Sequence, residues 1–329
     1  MSATSADVAR LAGVSRATVS YVVNDTPGQT ISTETRENIL RIARDLGYRP
    51  SPHARSLRRG RGSVVLWPLP DQPRSHVLTQ LMEACAAALE PLGYSLVWDS
   101  RRLADPEAQL DAWMRLAPAA VIDALLAHDD PVLELLRRTG IPVLSAALRS
   151  DSRWESTGDA VGRETRITQL RYLLERGARR VSIVLPTRVP TDRRVEQRLL
   201  RQWRTLARDA GASIAVERVD LDAGAIRSLV ADWISGTRPE AVAAYNDEYA
   251  IAIVGALMSA GIRVPGDVAV IGVDDIPLGR VTTPTITTLA LDFDEYAHAM
   301  AAAVKAALEG GTDPRLPVPR HYLIERESA

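Results

Sequence analysis

The chain has 329 residues, of which 46% are hydrophobic and 25% are charged, as expected for a globular protein of about two domains. No apolar run reaches the roughly eighteen residues of a membrane-spanning helix, and the first residues lack the pattern of a signal peptide, so we expect a cytoplasmic protein without a membrane partner. The net charge of −1 divides unevenly: residues 1–62 carry ten arginines and five acidic residues (+5), and the remainder carries 30 basic and 36 acidic residues (−6).

The basic N-terminal part predicts contact with a polyanion such as nucleic acid, although a solvated surface accounts for the charge equally well. Residue types that carry metal or nucleophilic chemistry are few. Cys85 is the single cysteine and is expected to be a buried, unreactive thiol. The five histidines lack metal-ligand spacing, and no phosphate-binding loop, dinucleotide motif or nucleophile elbow is present. We therefore expect no metal, no cofactor and no enzymatic activity.

Three short helices are predicted near the N-terminus. Apolar residues spaced three and four apart predict helices over Ser5–Ala12, Arg16–Val23 and Thr33–Leu46. Gly13 ends the first helix because glycine takes the positive φ that a tight turn needs. Ser15 and Ser32 are good N-caps for the second and third helices.

Two short helices joined by a glycine-containing turn and braced by a third helix form the helix-turn-helix arrangement. Its second helix enters the major groove with its N-terminus first. Arg16 suits a guanine edge, Ala17 suits a thymine methyl group, and hydroxyl groups suit phosphates. A three-helix bundle that binds protein fits the helical pattern as well.

The segment from Val8 to Asn24 has the pattern V-A-x-x-A-G-V-S-x-x-T-V-S-x-V-x-N. Over residues 5–57 the chain resembles the DNA-binding headpiece of the LacI/GalR family of bacterial transcriptional regulators. This resemblance implies base-reading positions at Arg16, Ala17 and Tyr21. It implies phosphate contacts at Ser15, Thr18, Ser20, Asn24 and Ser32. Tyr21 replaces the arginine or similar polar residue of many relatives, which leaves the operator sequence open.

The segment SPHARSL after Pro50 resembles the family's hinge helix, which in relatives forms on operator DNA and wedges a leucine into the minor groove. Ala54, Arg55 and Leu57 occupy the matching positions, and packing within a linker is the alternative for Leu57. We expect a headpiece over residues 1–49, a hinge helix and linker over 50–62, and a ligand-sensing and dimerisation body over 63–329.

Predicted strands alternate with predicted helices throughout the body. Strand patterns lie at 62–70, 94–100, 119–126, 141–148, 179–186, 213–220, 241–247 and 267–275, with a last strand in 316–328. This alternation predicts an α/β fold with two parallel, doubly wound sheets and a cleft at the carboxyl ends of the strands.

The body resembles the family's sensor domain, which has the two-lobed fold of periplasmic sugar-binding proteins; the match is closest over residues 238–275. We expect lobe 1 over about 63–160 and 292–315, and lobe 2 over about 161–291 and 316–329. The resemblance implies effector contacts at Asp71, Arg198, Asn246, Asp247, Asp274 and Phe293. Helix capping is the alternative for Asn246 and Asp247. Fixing of a loop at the lobe boundary is the alternative for Asp274 with the neighbouring Asp275, and packing at the hinge is the alternative for Phe293.

Other segments depart from the family pattern. The usual Asn-Pro-Phe after the first strand is replaced by DQPRSH, and the usual Gly-His pair reads Gly177-Ala178. The effector-binding arginine of relatives aligns closest to Leu199, beside Arg198. The arginine-rich segment 188–208 indicates either an anionic effector or a solvated helix face.

The sequence therefore predicts a repressor that binds a pseudo-palindromic operator as a homodimer and responds to a small-molecule effector, a sugar or another metabolite. Three rivals remain: a DNA-binding regulator with a non-sensing body, a cytoplasmic solute-binding protein, and an enzyme on a doubly wound scaffold.

Overall fold

The computed structural model describes ten stretches of the chain. They are residues 3–24, 28–48, 62–69, 76–123, 130–145, 148–150, 153–155, 157–187, 193–311 and 316–329. The chain divides into two compact units, one with the headpiece and one with nearly all of the body, and each is described by itself. Within the described stretches, no helix combines the length and the apolar composition that a membrane crossing requires.

The headpiece contains the three helices predicted from the sequence. They are α1 (Ser5–Ala12), α2 (Arg16–Val23) and α3 (Thr33–Asp45). Thr4 and Asp7 form a capping box at the start of α1, and Gly13 ends it with φ +66°. The predicted third helix is one residue too long, because Leu46 already serves as the C-cap.

A small apolar core holds the three helices together. Its buried members come from every helix and are Val8, Ala9, Val19, Val22, Ile39, Ile42 and Ala43. Val19 and Ile39 are fully buried. Because α2 turns Val19 and Val22 inward, the opposite face of the helix is left for a partner.

The first part of the body forms a four-stranded sheet with helices packed on it. In chain order the elements are β1 (Val64–Pro68), α4 (His76–Leu89), β2 (Ser95–Asp99), α5 (Pro106–Met114), β3 (Pro118–Asp123), α6 (Pro131–Arg138) and β4 (Val143–Ser145). The strand order is β2-β1-β3-β4, and β3 and β4 run parallel. Cys85 lies fully buried on α4, where burial raises the pKa of its thiol to about 12, as expected for an unreactive cysteine.

A short antiparallel pair leads into the second sheet. The elements in chain order are β5 (Leu148–Ser150), β6 (Arg153–Glu155), α7 (Thr157–Glu175), β7 (Arg180–Leu185), α8 (Arg193–Asp209), β8 (Ser213–Arg218), α9 (Ala223–Ser235), β9 (Ala241–Ala244), α10 (Asp247–Ser259) and β10 (Ala269–Ile271). The second sheet has the order β10-β9-β7-β8 with parallel pairing. Apolar clusters cover both of its faces, which confirms the predicted α/β class with two parallel sheets.

An antiparallel ribbon passes between the two sheets. Strand β11 (Thr288–Asp292) leaves the second sheet and leads into α11 (Asp294–Leu308), which packs on α4 of the first part. The chain then returns along β12 (Arg320–Ile324), the predicted last strand, which pairs with β11 over its whole length. We refer to the first and second sheets with their helices as lobe 1 and lobe 2; their residue limits, as given above, remain a proposal.

Candidate functional site

The N-terminal end of α2 presents the predicted base-reading residues. Ser15, Arg16 and Ala17 are exposed in succession at the start of the helix, whereas Val19 behind them is fully buried. Tyr21 lies half-buried one turn later. The headpiece therefore places Arg16 and Ala17 where a base edge can reach them, and their roles in reading DNA stay predictions.

The charges around the three helix starts differ. Helices α1 and α3 carry an acidic residue in the first turn, Asp7 and Glu34, whereas α2 carries none. The partial positive charge of the α2 N-terminus is therefore not neutralised by a neighbouring carboxylate, and it favours a negatively charged partner such as a phosphate.

Three of the five predicted phosphate-binding residues are also helix caps, and Thr18 and Ser20 lie within α2. The Ser15 hydroxyl accepts a hydrogen bond from the Thr18 amide at 3.0 Å, and the Ser32 hydroxyl accepts one from the Thr35 amide at 3.2 Å. Asn24 ends α2, and its Nδ2 donates to the Ser20 carbonyl oxygen at 2.8 Å. The Ser32 hydroxyl also donates to Thr35 Oγ1 at 2.8 Å, and the Ser15 and Thr18 hydroxyls share a hydrogen bond of 2.8 Å, so phosphate contacts by these groups stay predictions. The hinge positions Ala54, Arg55 and Leu57 lie outside the described residues.

A second group of polar residues gathers at the carboxyl end of the lobe 2 sheet. Asn246 follows β9 as the N-cap of α10, and its Oδ1 accepts a hydrogen bond from the Tyr249 amide at 3.1 Å. Asn246 is therefore a helix cap, and an effector contact by Asn246 stays a prediction. Its amide group is buried beside Asp274, whose carboxylate it also reaches.

Asp247 is buried with no exposed surface and links three segments of lobe 2. Its Oδ1 accepts a hydrogen bond from the Thr288 hydroxyl at 2.6 Å, and its Oδ2 accepts one from the Ile276 amide at 2.9 Å. Burial raises the pKa of this carboxyl to about 6. These bonds give Asp247 a structural role in the described residues, and an effector contact by Asp247 stays a prediction.

Asp274 stands at the corner after β10, with an unusual backbone φ of +107°. Its amide donates to the Leu289 carbonyl oxygen at 2.8 Å, which holds the corner against β11. Burial, and then the nearby Asp247 carboxylate, raise the pKa of Asp274 to about 8. The neighbouring Asp275 has the loop-fixing role, because its carboxylate pairs with Arg280 and Arg326.

Two residues of α7 at this site were not predicted from the sequence. Arg166 donates to the carbonyl oxygens of Ala244, at 2.6 Å, and Tyr245. Gln169 donates to the carbonyl oxygens of Ala244, Ile271 and Gly272 at 2.9–3.2 Å. A signal was present: the helical stripe through Leu173 and Leu170 passes through Arg166, so that this arginine falls on the buried face.

The remaining predicted effector residues lie in different surroundings. Leu199 is buried in the core of lobe 2, and Arg198 beside it on α8 is half-buried. Phe293 is buried where β11 meets α11, which agrees with both the cleft and the hinge interpretation. Asp71 lies outside the described residues.

Two family profiles match the chain in the order of these two units. The profile of bacterial regulatory proteins of the lacI family matches residues 4–51. The profile of the periplasmic binding protein-like domain matches residues 170–329.

Curated relatives match over the full length. The ribose operon repressor of Escherichia coli K12 is 27% identical, with 99% of this chain and 100% of that protein covered. The transcriptional regulator GalR of Salmonella typhimurium is 28% identical over 94% of this chain and 90% of that protein.

Solved structures share the fold. The lac repressor dimer bound to operator and the anti-inducer ONPF has a TM-score of 0.74 at 22% identity, covering 100% of this chain and 99% of that one. The complex of the transcriptional regulator CelR with cellobiose has a TM-score of 0.66 at 24% identity, covering 99% and 100%. The chain belongs to the LacI family of bacterial regulatory proteins and is a DNA-binding transcriptional regulator.

Proposed function

We propose that this regulator is a cytoplasmic, non-catalytic repressor that binds a pseudo-palindromic operator as a homodimer and is controlled by a small effector between its two lobes. The observation that carries the proposal is the exposed N-terminal end of α2, where Ser15, Arg16 and Ala17 meet solvent and no acidic residue lies in the first turn. Its shape and charge suit entry into a major groove.

Pairing of two headpieces supplies the affinity that one headpiece lacks. When one headpiece is bound, the second binds from a high effective concentration, which raises affinity by roughly 10²–10⁴-fold without a new contact. An effector changes this affinity only if it binds one arrangement of the lobes better than the other.

Selection of bound fragments from random duplex DNA by the purified full chain tests the proposal. We expect an enriched sequence with two-fold symmetry, because a two-fold dimer reads two half-sites. We also expect the logarithm of the binding constant to fall linearly with the logarithm of salt concentration. No enrichment over random competitor at low salt would refute DNA recognition, and an enriched sequence without symmetry would refute the dimeric mode.

Replacement of Arg16 by alanine should change which operators are selected. A bidentate arginine–guanine contact contributes about 1–3 kcal/mol of discrimination, so we expect about a tenfold or greater loss on the best operator and a relaxed preference at one position of each half-site. Fluorescence anisotropy with the selected operator and single-base variants measures both. Arg41→Ala is the matched control, since Arg41 is an exposed arginine on α3 that pairs with Asp45. Equal effects of the two substitutions would remove Arg16 from base reading.

The exposed apolar residues after β10 are candidates for the contact between two copies. Leu278 is 57% exposed and Val281, three positions later, is 76% exposed. We expect Val281→Glu to weaken dimerisation by roughly 30-fold or more, the scale of an interface residue that contributes at least 2 kcal/mol, and to weaken operator binding through loss of pairing. Sedimentation velocity across a concentration series measures the first effect.

The control for this experiment is Ile234→Glu on α9. Ile234 is 52% exposed and lies elsewhere on lobe 2, so the change adds the same charge to a comparable apolar site. If Val281→Glu leaves the dimer intact, or if both variants dissociate it equally, this surface is not the contact.

A further inference from the structure

Arg166 is a buried cation at the carboxyl end of the lobe 2 sheet. The residue is 6% exposed, although it carries a guanidinium group whose removal from water is costly. Burial lowers the pKa of this group only to about 10, so it keeps its charge at neutral pH. Its position puts a permanent positive charge where the effector is proposed to bind.

No carboxylate neutralises this charge by direct contact. Across the ten described stretches, no Asp or Glu oxygen forms an ion pair with Arg166, and Asp274 acts on it only from a longer distance. The guanidinium is instead held by three carbonyl-type oxygens, those of the Gln169 side chain, Ala244 and Tyr245, and by the Tyr245 ring, whose centroid lies 5.3 Å from Cζ. A buried cation with no carboxylate in direct contact is a position where an anion gains a strong interaction.

The donors of Arg166 are also not all used. A guanidinium has five N–H groups. The three hydrogen bonds account for both groups on Nη1 and one on Nη2. The Nε group and one Nη2 group have no acceptor among the residues that the structure describes. They can form the two parallel bonds by which arginine binds a carboxylate or phosphate.

We infer that Arg166 is a specificity-determining residue of the effector site and selects a small polyhydroxy molecule that carries an anionic oxygen group, a carboxylate or a phosphate. This inference rests on the proposed effector site in lobe 2. Asp274 complements the selection. Because burial keeps this carboxyl largely protonated at neutral pH, it donates a hydrogen bond to a ligand hydroxyl and does not cancel the charge of Arg166.

Matched pairs of neutral and acidic probes test the inference on the full-length dimer bound to its selected operator. The pairs are D-glucitol with D-gluconate, D-galactose with D-galacturonate, and D-ribose with D-ribose 5-phosphate. Operator affinity and melting temperature are measured for each probe at pH 7. We expect at least one acid to shift both quantities at a concentration roughly tenfold or more below that of its neutral partner, the scale of a charge-assisted hydrogen bond. Galacturonate or gluconate acting alone identifies a carboxylate site, and ribose 5-phosphate acting alone identifies a phosphate site.

Three variants separate charge from structure. Arg166→Met should abolish the preference for the acid, and Arg166→Lys should retain it at reduced affinity. Arg171→Gln removes an exposed arginine from the same helix and should leave the preference for the acid unchanged. If Arg166→Met fails to fold, two other measurements test the inference. They are the preference of the wild type for the acid in each probe pair, and the preference of Arg166→Lys for the same acid.

Three outcomes overturn the inference: a neutral probe acts better than its acid, Arg166→Met keeps the preference, or no acid acts at all. A response to neutral sugars alone would leave the proposed effector function standing and remove only the role of Arg166. Failure of operator binding both with and without the probes would remove the proposed function itself.

Discussion

Replacing Gly272 by alanine should destabilise lobe 2 by about 3 kcal/mol or more. A Cβ at this position would stand 2.0 Å from Oδ1 of Asp247 and 3.1 Å from its Cα. The Asp247 carboxylate cannot simply rotate away, because the Thr288 hydroxyl and the Ile276 amide hold its two oxygens. Either these buried hydrogen bonds break or the end of β10 moves, and both changes are costly.

Calorimetry or urea unfolding of the full chain measures the loss, and Gly255 provides the matched control. Gly255 lies within α10, where a Cβ would meet no atom within 4 Å. Gly255→Ala should therefore stabilise the protein by up to about 1 kcal/mol through helix propensity. If Gly272→Ala melts within a degree of the wild type, the end of β10 does not lie as close to Asp247 as described.

Asp274→Asn should make the protein more stable relative to the wild type as pH rises. The carboxyl group has a pKa of about 8 in the folded chain against 3.8 for an ordinary aspartate. A raised folded pKa contributes stability that is fully present below the unfolded pKa and is lost as pH rises through the folded one. Between about pH 4 and pH 8 this group therefore lowers the free energy of unfolding by up to about 1.4 kcal/mol per pH unit. Asparagine has no such slope.

The urea midpoint of the two proteins between pH 4.5 and pH 8.5, without effector, measures this difference. Asp247 also lowers the free energy of unfolding as pH rises to about 6, but both proteins contain it, so it does not account for a difference between them. Asp267→Asn is a control that should run parallel to the wild type in this range, since Arg263 holds the pKa of the Asp267 carboxyl below its usual value and the group is ionised in both the folded and the unfolded chain. Parallel curves for the wild type and Asp274→Asn would show that Asp274 is ionised and solvated in the folded chain.

The headpiece was predicted almost to the residue because its signals are local. Ser15 and Ser32 are N-caps, and Gly13 takes the left-handed turn that its lack of a Cβ permits. Each of these signals needs only three or four neighbouring residues. The alternation of the body likewise predicted its two sheets, since period and length separate strands from helices.

The polar cluster proposed as the effector site was only partly predicted, because the contacts within it are distant along the chain. Asn246 and Asp274 were found at strand ends, but Arg166 meets the Ala244 carbonyl oxygen across 78 residues. A sequence pattern can place Arg166 on the buried face of α7. The acceptors that hold it include backbone carbonyl oxygens, and because every residue has one, the sequence does not mark which of them accept. The bonds of Asp247 with Thr288 and Ile276 were hidden for the same reason.

The pairing of β11 with β12 has a mechanical consequence. Both segments pass between the lobes, and they are joined register by register from Thr288 opposite Ile324 to Asp292 opposite Arg320. Two unpaired strands could twist, slide and bend independently of each other. Hydrogen-bonded strands resist sliding past each other, so that rotation of the lobes about the strand direction is the motion of lowest energy. We therefore expect the two lobes to move relative to each other mainly by rotation about the direction of this ribbon.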